Sequence, residues 1–406
     1  MTSVDRCYNI EDLRLEAKRR LPKWIFEFVD RGAEDEVGLA HNIEAFRRIK
    51  LRQKALVDVS GRDLGADLLG SRATLPMAIA PTGAAGLCWY EGELELAKAA
   101  AKFGIPFTLA ISSTTGLEKI ADEAGGRLWF QIYVWEDRQL TYDLVERAAQ
   151  AGYEALVVTV DVNLGVNREF NLRNGYGNPF KPSYPTVRDI LLKPGWFMNV
   201  LMRYYTSSGM PRQANMPPIA RNVHGAVLRG TDSKITWDDI AKLRDRWKGK
   251  LIVKGLMRPD DARRAASVGA DAVVISNHGA RNVDMAPAPI DVLPSVVSEV
   301  GGKVAVVLDS GIRRGSDIIK AYALGADAVL VGRAALFGCA AGGQAGAERA
   351  LNLLKREYEL TLAHLGCRNH QELSPDVLAN DLPFMGQSID TLPRRRNSPV
   401  QEVLTA

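Results

Sequence analysis

The stretch ISNHGARNVD, Ile275 to Asp284, leaves an apolar run and presents a histidine three residues before an arginine. An imidazole with an ordinary pKa of about 6.5 can take a proton at neutral pH. A guanidinium can grip a carboxylate with a two-pronged fork, as lysine cannot. His278 and Arg281 therefore suit a substrate that bears a carboxylate beside a position that gives up a proton. Asp161, at the end of LVVTVDV, is a carboxylate suited to orient the imidazole. His41, His224, His364 and His370 have no comparable setting and read as surface or structural residues.

A second set of residues suits an anion. DSGIRRG, Asp309 to Gly315, and the pair Gly332 and Arg333 place glycines, backbone NH groups and arginines after two successive apolar runs. Either one alone reads as packing plus a surface charge. Together they favour a phosphate, held by helix dipole and guanidinium forks. A phosphate-bearing cofactor is the expectation.

The elements that must position these groups repeat along the chain. A β-rich run, a turn, an amphipathic stretch and a glycine recur, most plainly in AGYEALVVTV, VGADAVVIS and LGADAVLVG. Eight strands are expected within PMAIAP, PFTLA, LWFQIYV, ALVVTVDV, KLIVKGL, AVVISNHG, VAVVLDSG and AVLVGRAAL. Most are followed by helical periodicity. The fold class is α/β, a (β/α)8 TIM barrel over about 75–365, preceded by amino-terminal helices and followed by a tail over about 379–406. Reactive groups in such a barrel sit where strands end. Reading those ends gives Pro81, Thr82 and Gly83, Gln131 and Tyr133, Thr159 and Asp161 with Arg168 beyond, Lys254, Ser276, and Asp309. Polar groups in apolar strands are costly without partners, so their convergence implies a shared ligand.

The rhythm breaks once, in a long connection over about 175–233. Trp196, Phe197, Val200, Leu201 and Tyr204 recur there at helical spacing, and Asn178 to Gly230 holds seven Lys or Arg against one Asp. A basic, aromatic, amphipathic segment reads as a membrane-surface contact, through about 182–217, or as an active-site lid or oligomer contact. No apolar run reaches the roughly 18 residues that a spanning helix needs.

The net charge of +4 over 406 residues is too mild for a dedicated nucleic-acid binder. Cys7, Cys88, Cys339 and Cys367 form no C-x-x-C pair, so neither a metal site nor a disulfide framework is expected. With no export signal in the charged amino terminus, a cytoplasmic protein is expected, peripheral at the inner face of the cell membrane if the insertion touches lipid.

The motifs LPKWIFEFVDRGAEDE, WFQIYV, LVVTVDV, IVKGL, ISNHGARNVD and LDSGIRRGSDIIKAYALGADAVLVGR together resemble the FMN-dependent (S)-2-hydroxy acid dehydrogenases and oxidases, from about Tyr8 to Leu378. Within that family, PTGAAG, FGIPFTLA and LGCRNHQELSPDVLAND are most similar to the membrane-associated mandelate-oxidising branch, then to the respiratory lactate branch. The resemblance implies FMN as cofactor and oxidation of a mandelate-like or lactate-like acid. His278 would be the base and Asp161 its orienting partner, with a hydride equivalent passing from substrate C2 to flavin N5. Arg281 and Arg168 would hold the carboxylate, and Tyr133 the hydroxyl oxygen. Lys254 would stabilise the reduced ring. Pro81, Thr82, Gly83, Gln131, Thr159 and Ser276 would line the flavin, and Asp309, Gly311, Arg313, Gly332 and Arg333 its ribityl chain and phosphate. It also implies a homo-oligomer, a tetramer, and a quinone or other electron acceptor.

Departures from the family pattern bear on substrate and acceptor. Phe26 stands where a tyrosine is usual, which would remove a hydrogen bond worth about 0.5 to 1.5 kcal/mol. Ala110 replaces a hydroxyl near the flavin, and Ala280 replaces a glycine. Gly83, where oxidases often carry alanine, resembles the dehydrogenases. Alternatives are a 2-hydroxy acid oxidase that makes hydrogen peroxide, a flavin barrel acting on a peptide or a diphosphate, and a flavin-binding interaction protein.

Overall fold

The computed structural model describes residues 3–162, 165–175, 183–216 and 232–379. The carboxy-terminal tail from 380, His224, and the insertion residues 176–182 and 217–231 lie outside the described residues. A small antiparallel hairpin, β1 (Ala66–Leu68) with β2 (Ser71–Ala73), precedes eight parallel strands. These are β3 (Met77–Ile79), β4 (Phe107–Ala110), β5 (Leu128–Ile132), β6 (Ala155–Thr159), β7 (Lys250–Leu256), β8 (Ala272–Ile275), β9 (Ala305–Leu308) and β10 (Ala328–Val331). They follow one another around a closed barrel, with β10 pairing back onto β3 through Val329 and Met77. The expected TIM barrel is therefore the fold.

The strands are short and β-branched, and most of their residues are buried, as a sheet covered on both faces requires. One irregularity serves the site. The β7–β8 register shifts between Lys254 and Leu256, where Gly255 adopts φ +104°. A Cβ at Gly255 would lie 2.6 Å from the Asp161 carboxyl carbon, so only glycine lets β7 pass beneath that carboxylate.

Two layers outside the barrel matter for function. The helix Lys23–Asp30 ends over the barrel mouth. Its last carbonyls are capped by two barrel arginines: Arg281 Nη1 donates to Phe28 O at 2.6 Å, and Arg333 Nε donates to Val29 O at 3.0 Å. Cations suit the negative end of a helix, so the amino-terminal segment is tied to the same residues that serve the site.

The second layer is the insertion after β6, which forms the helix Tyr184–Leu191 and a run of helical turns from Pro194 to Ser207 that includes a π-helical stretch. Here the structure corrects the sequence reading. The aromatic face formed by Trp196, Val200 and Tyr204 is buried against the protein itself. Trp196 Nε1 donates to Leu87 O at 2.7 Å, its ring meets Trp24 edge-on at 6.4 Å, and the Tyr204 hydroxyl accepts from Glu91 N at 2.9 Å. The apolar residues that reach solvent are others, Tyr184, Val187, Leu191, Leu192 and Met198, with Leu191 70% and Leu192 65% exposed. Among the described residues, no helix is long and apolar enough to cross a membrane.

Candidate active site

The carboxyl ends of the strands surround a cleft of about 320 Å3, within the usual span for small-molecule sites. It gathers Pro81, Thr82, Gly83, Gln131, Tyr133, Thr159, Arg168, Lys254, His278, Arg281, Asp309, Gly311, Arg313, Gly332 and Arg333 along its walls. Two further expected residues, Asp161 and Ser276, stand behind the wall and hold the others in place.

His278 follows β8 in a left-handed conformation, φ +58°, as do Gly279 and Ala280 after it. Three such residues in a row are expensive, about 1 to 3 kcal/mol for each that is not glycine. The turn is over-determined by side-chain acceptors. Ser276 Oγ takes the His278 amide at 3.0 Å, Ser310 Oγ takes that of Gly279 at 2.9 Å, and Asn277 Oδ1 takes that of Ala280 at 3.1 Å. The imidazole is thereby fixed with Nδ1 2.9 Å from Asp161 Oδ1. A carboxylate accepts, so Nδ1 carries the hydrogen and Nε2 is left as the proton acceptor.

The charge states follow from burial and neighbours. Burial lowers the His278 pKa below its ordinary value, more than Asp161 raises it, so the imidazole is neutral at pH 7. Burial pushes the Asp161 carboxyl up, but His278 and Lys254 outweigh it and the group sits below the usual carboxylate range. The pair is thus a neutral imidazole against a carboxylate, a base ready to accept. Asp161 Oδ2 is buried without a hydrogen-bond partner among the described residues.

Below the histidine lies a buried ion pair. Lys254 Nζ is 2.8 Å from Asp309 Oδ2 and donates to Ser276 Oγ at 2.9 Å, and Ser276 donates to Asp309 Oδ2 at 2.7 Å. Burial works against the Lys254 charge, yet Asp309 and Asp161 raise its pKa above the ordinary lysine value. Burial likewise pushes Asp309 up, and Lys254 with Ser276 brings it below the usual range. Ser276 is therefore a buried bridge joining lysine, aspartate and the histidine backbone, and it does not line the cleft. Gln131 Nε2 donates to Thr159 Oγ1 at 3.0 Å across β5 and β6, which orients both toward the cleft. Burial, then Asp161, holds the Tyr133 phenol well above its ordinary pKa, so it stays a donor.

At the other end Arg313 and Arg333 are partly buried. Burial is the main cause that lowers each, and Arg313 adds to it for Arg333, which is pushed down to about 9. A guanidinium keeps its proton at pH 7, so the depression measures electrostatic tension. Two partly buried cations on the wall of one cleft form a site that an anion would complete, and the phosphate of FMN fits it.

The structure also shows which aromatic ring of the helix Lys23–Asp30 faces the cleft. The ring beside Arg281 is Phe28, with the guanidinium carbon 5.0 Å from its centre. Phe26 packs instead toward Arg14 and Lys18. Two residues apart on a helix is about 200°, so both cannot face the cleft. Of the two rings, only that of Phe28 lines the cleft. Sequence reading also missed Ser112, Val162, Asn171 and Gln213, which line the cleft. Ser112 lies two positions beyond Ala110 and against Gly83, whose Cβ would come 2.2 Å from the Ser112 hydroxyl. Gln213 comes from the insertion, so that segment both shapes the cleft and carries the exposed apolar patch.

The family profile described as FMN-dependent dehydrogenase matches residues 17–380. The chain is 42% identical to (S)-mandelate dehydrogenase of Pseudomonas putida over 378 residues, 92% of this chain and 94% of that protein. It is 40% identical to an L-lactate oxidase of Nostoc sp., over 93% of this chain and all of that protein. A crystal structure described as the monotopic membrane protein (S)-mandelate dehydrogenase superposes with a TM-score of 0.88 at 42% identity, covering 93% of this chain and 100% of the other.

Proposed function

This chain belongs to the FMN-dependent dehydrogenases, and from that premise we propose that it oxidises an (S)-2-hydroxy acid to the 2-oxo acid with His278 as the base. One observation carries the reading: a neutral imidazole, held by Asp161 at 2.9 Å, lines the same cleft as Arg281 and as the Arg313–Arg333 anion site.

Bound FMN supplies the acceptor for the hydrogen and electron pair that leave substrate C2. The chain supplies the rest. Arg281 and Arg168 take the substrate carboxylate, and the protonated Tyr133 donates to the hydroxyl oxygen as charge grows there. His278 Nε2 accepts the hydroxyl proton, and Asp161 stabilises the imidazolium that results. Lys254 is a fixed buried cation, placed to stabilise negative charge on the cofactor ring. Gln131, Thr159 and the backbone of Pro81, Thr82 and Gly83 orient that ring, while Arg313, Arg333, Gly311, Gly332 and Asp309 hold the ribityl phosphate. Phe28 and Val162 give the substrate end an apolar wall, which favours an aromatic, mandelate-like acid over lactate.

The electron acceptor we propose is a membrane quinone, met by a homotetramer docked peripherally at the inner face of the cell membrane through 182–217. Gly83 and the exposed Leu191 and Leu192 support that acceptor and that docking. An oxidase remains the second reading, because an L-lactate oxidase is 40% identical to the chain. Anaerobic addition of (S)-mandelate should bleach the flavin absorbance of the purified protein, and (S)-lactate should do so less well. Unchanged absorbance with every 2-hydroxy acid tried would remove the function. Faster reoxidation by oxygen than by a quinone would replace the dehydrogenase with the oxidase.

A further inference from the structure

A separate cavity of about 320 Å3 lies beneath the insertion, and none of its lining residues lines the FMN cleft. Its walls come from the end of the helix Ile10–Arg20, from Trp89, and from the run Leu192 to Val200. Arg20 is the unusual member. Neighbouring arginines of its helix are paired, Arg14 with Asp30 and Arg19 with Glu16, each at 2.6 Å. Arg20 is half-buried, lies over the Trp89 ring at 5.0 Å, and has no carboxylate within ion-pair distance among the described residues. Burial lowers its pKa below the usual arginine value; Glu16 opposes the shift and Arg19 adds to it. Lys193 stands beside it, with one of its three ammonium protons given to Arg19 O at 2.6 Å. A half-buried cation that rests on a ring and has no carboxylate among the described residues, next to a second cation and an open volume, leaves room for an anion.

The surroundings say which anion. Leu192 lines the cavity and is exposed, and Leu191 and Met198 are exposed close by in the chain. An ion whose own tail is apolar satisfies both features, whereas free phosphate satisfies only the first. We propose that this cavity binds the phosphate headgroup of an anionic phospholipid, with Arg20 and Lys193 on the phosphate and the acyl chains over Leu191, Leu192 and Met198. This rests on the insertion being the membrane contact, and it adds a headgroup preference to that contact.

The test is flotation of the full-length, FMN-loaded protein with vesicles of phosphatidylcholine alone or mixed with phosphatidylglycerol. The wild type should favour the mixed vesicles. Arg20→Gln should weaken binding to mixed vesicles about tenfold, leave binding to phosphatidylcholine unchanged, and leave hydroxy-acid turnover unchanged. The exposed Arg188 lies on the same insertion outside the cavity, so Arg188→Gln should lose only the roughly fivefold expected of one surface cation. Arg20→Lys keeps the charge and should recover most of the binding, which separates a lost site from a damaged fold. Equal losses in the two glutamine variants would overturn the headgroup site and leave the membrane contact standing. A wild type that floats with neither vesicle would overturn both. If inorganic phosphate raises the wild-type melting temperature, Arg20→Gln abolishes that rise, and no vesicle preference is seen, the occupant is a free anion and the lipid assignment is wrong.

Discussion

The barrel mouth and the insertion depart from ordinary protein architecture in opposite directions. At the mouth, charged groups are taken out of water: Lys254 and Asp309 lie buried 2.8 Å apart, and the partly buried Arg313 and Arg333 have no carboxylate within ion-pair distance among the described residues. In the insertion, apolar groups are left in water, with Leu191, Leu192, Tyr184 and Met198 exposed. Each arrangement costs free energy in the isolated chain. On the proposed function, each cost is offset by a component the chain does not itself provide, an anionic cofactor in one case and an apolar surface in the other. Unfavourable exposure and unfavourable burial are therefore equally good guides to a missing partner.

Four variants probe this contrast. The greatest effect is expected at the mouth for His278→Gln, which should keep FMN and lower the rate of flavin bleaching by substrate roughly 100- to 10,000-fold. Stopped-flow absorbance reads this, and a near-normal rate would remove the base. Lys254→Met leaves Asp309 buried and unpaired, and should cost about 3 to 5 kcal/mol of stability together with FMN retention. Denaturant midpoints check that value, and an unchanged midpoint would mean that the pair is not what holds the lower rim together. Arg281→Lys surrenders the fork on the carboxylate. It should lower kcat/KM by about 1.5 to 3 kcal/mol in free-energy terms while the flavin spectrum is unchanged. The smallest effect on folding belongs to the insertion. Leu191→Ser with Leu192→Ser should shift stability by no more than about 0.5 kcal/mol and leave turnover intact, yet release the protein from membranes. Loss of turnover with retained membrane binding would make the segment a lid.

Much of this was legible in the residues. All eight barrel strands fall inside the apolar runs that mark them, because a strand buried on both faces needs an uninterrupted β-branched stretch. The polar residues at their ends were legible for the complementary reason, that such groups have no business in an apolar run without a ligand. What was not legible depends on rotation and on contacts distant in sequence. Phe26 and Phe28 are equally aromatic, and only the way their helix docks turns the second toward Arg281. The spacing of Trp196, Val200 and Tyr204 showed an apolar face but not which side the protein keeps for itself. Ser276 shows no outward sign of bridging Lys254 to Asp309, since a serine becomes a linchpin only when three strands close around it. Ser112, Asn171 and Gln213 sit in connections whose paths no periodicity describes.

The central claim, that a partly buried, neutral His278 is the base, has a direct test in the pH dependence of flavin bleaching by substrate in a single turnover. Burial lowers the His278 pKa, and a base works unprotonated. The rate should therefore be full at neutral pH and fall only as the pH drops through a value below the ordinary imidazole figure of about 6.5. That acid limb should vanish from the residual activity of His278→Gln. A limb at or above 6.5, or the same limb surviving in the variant, would contradict the account.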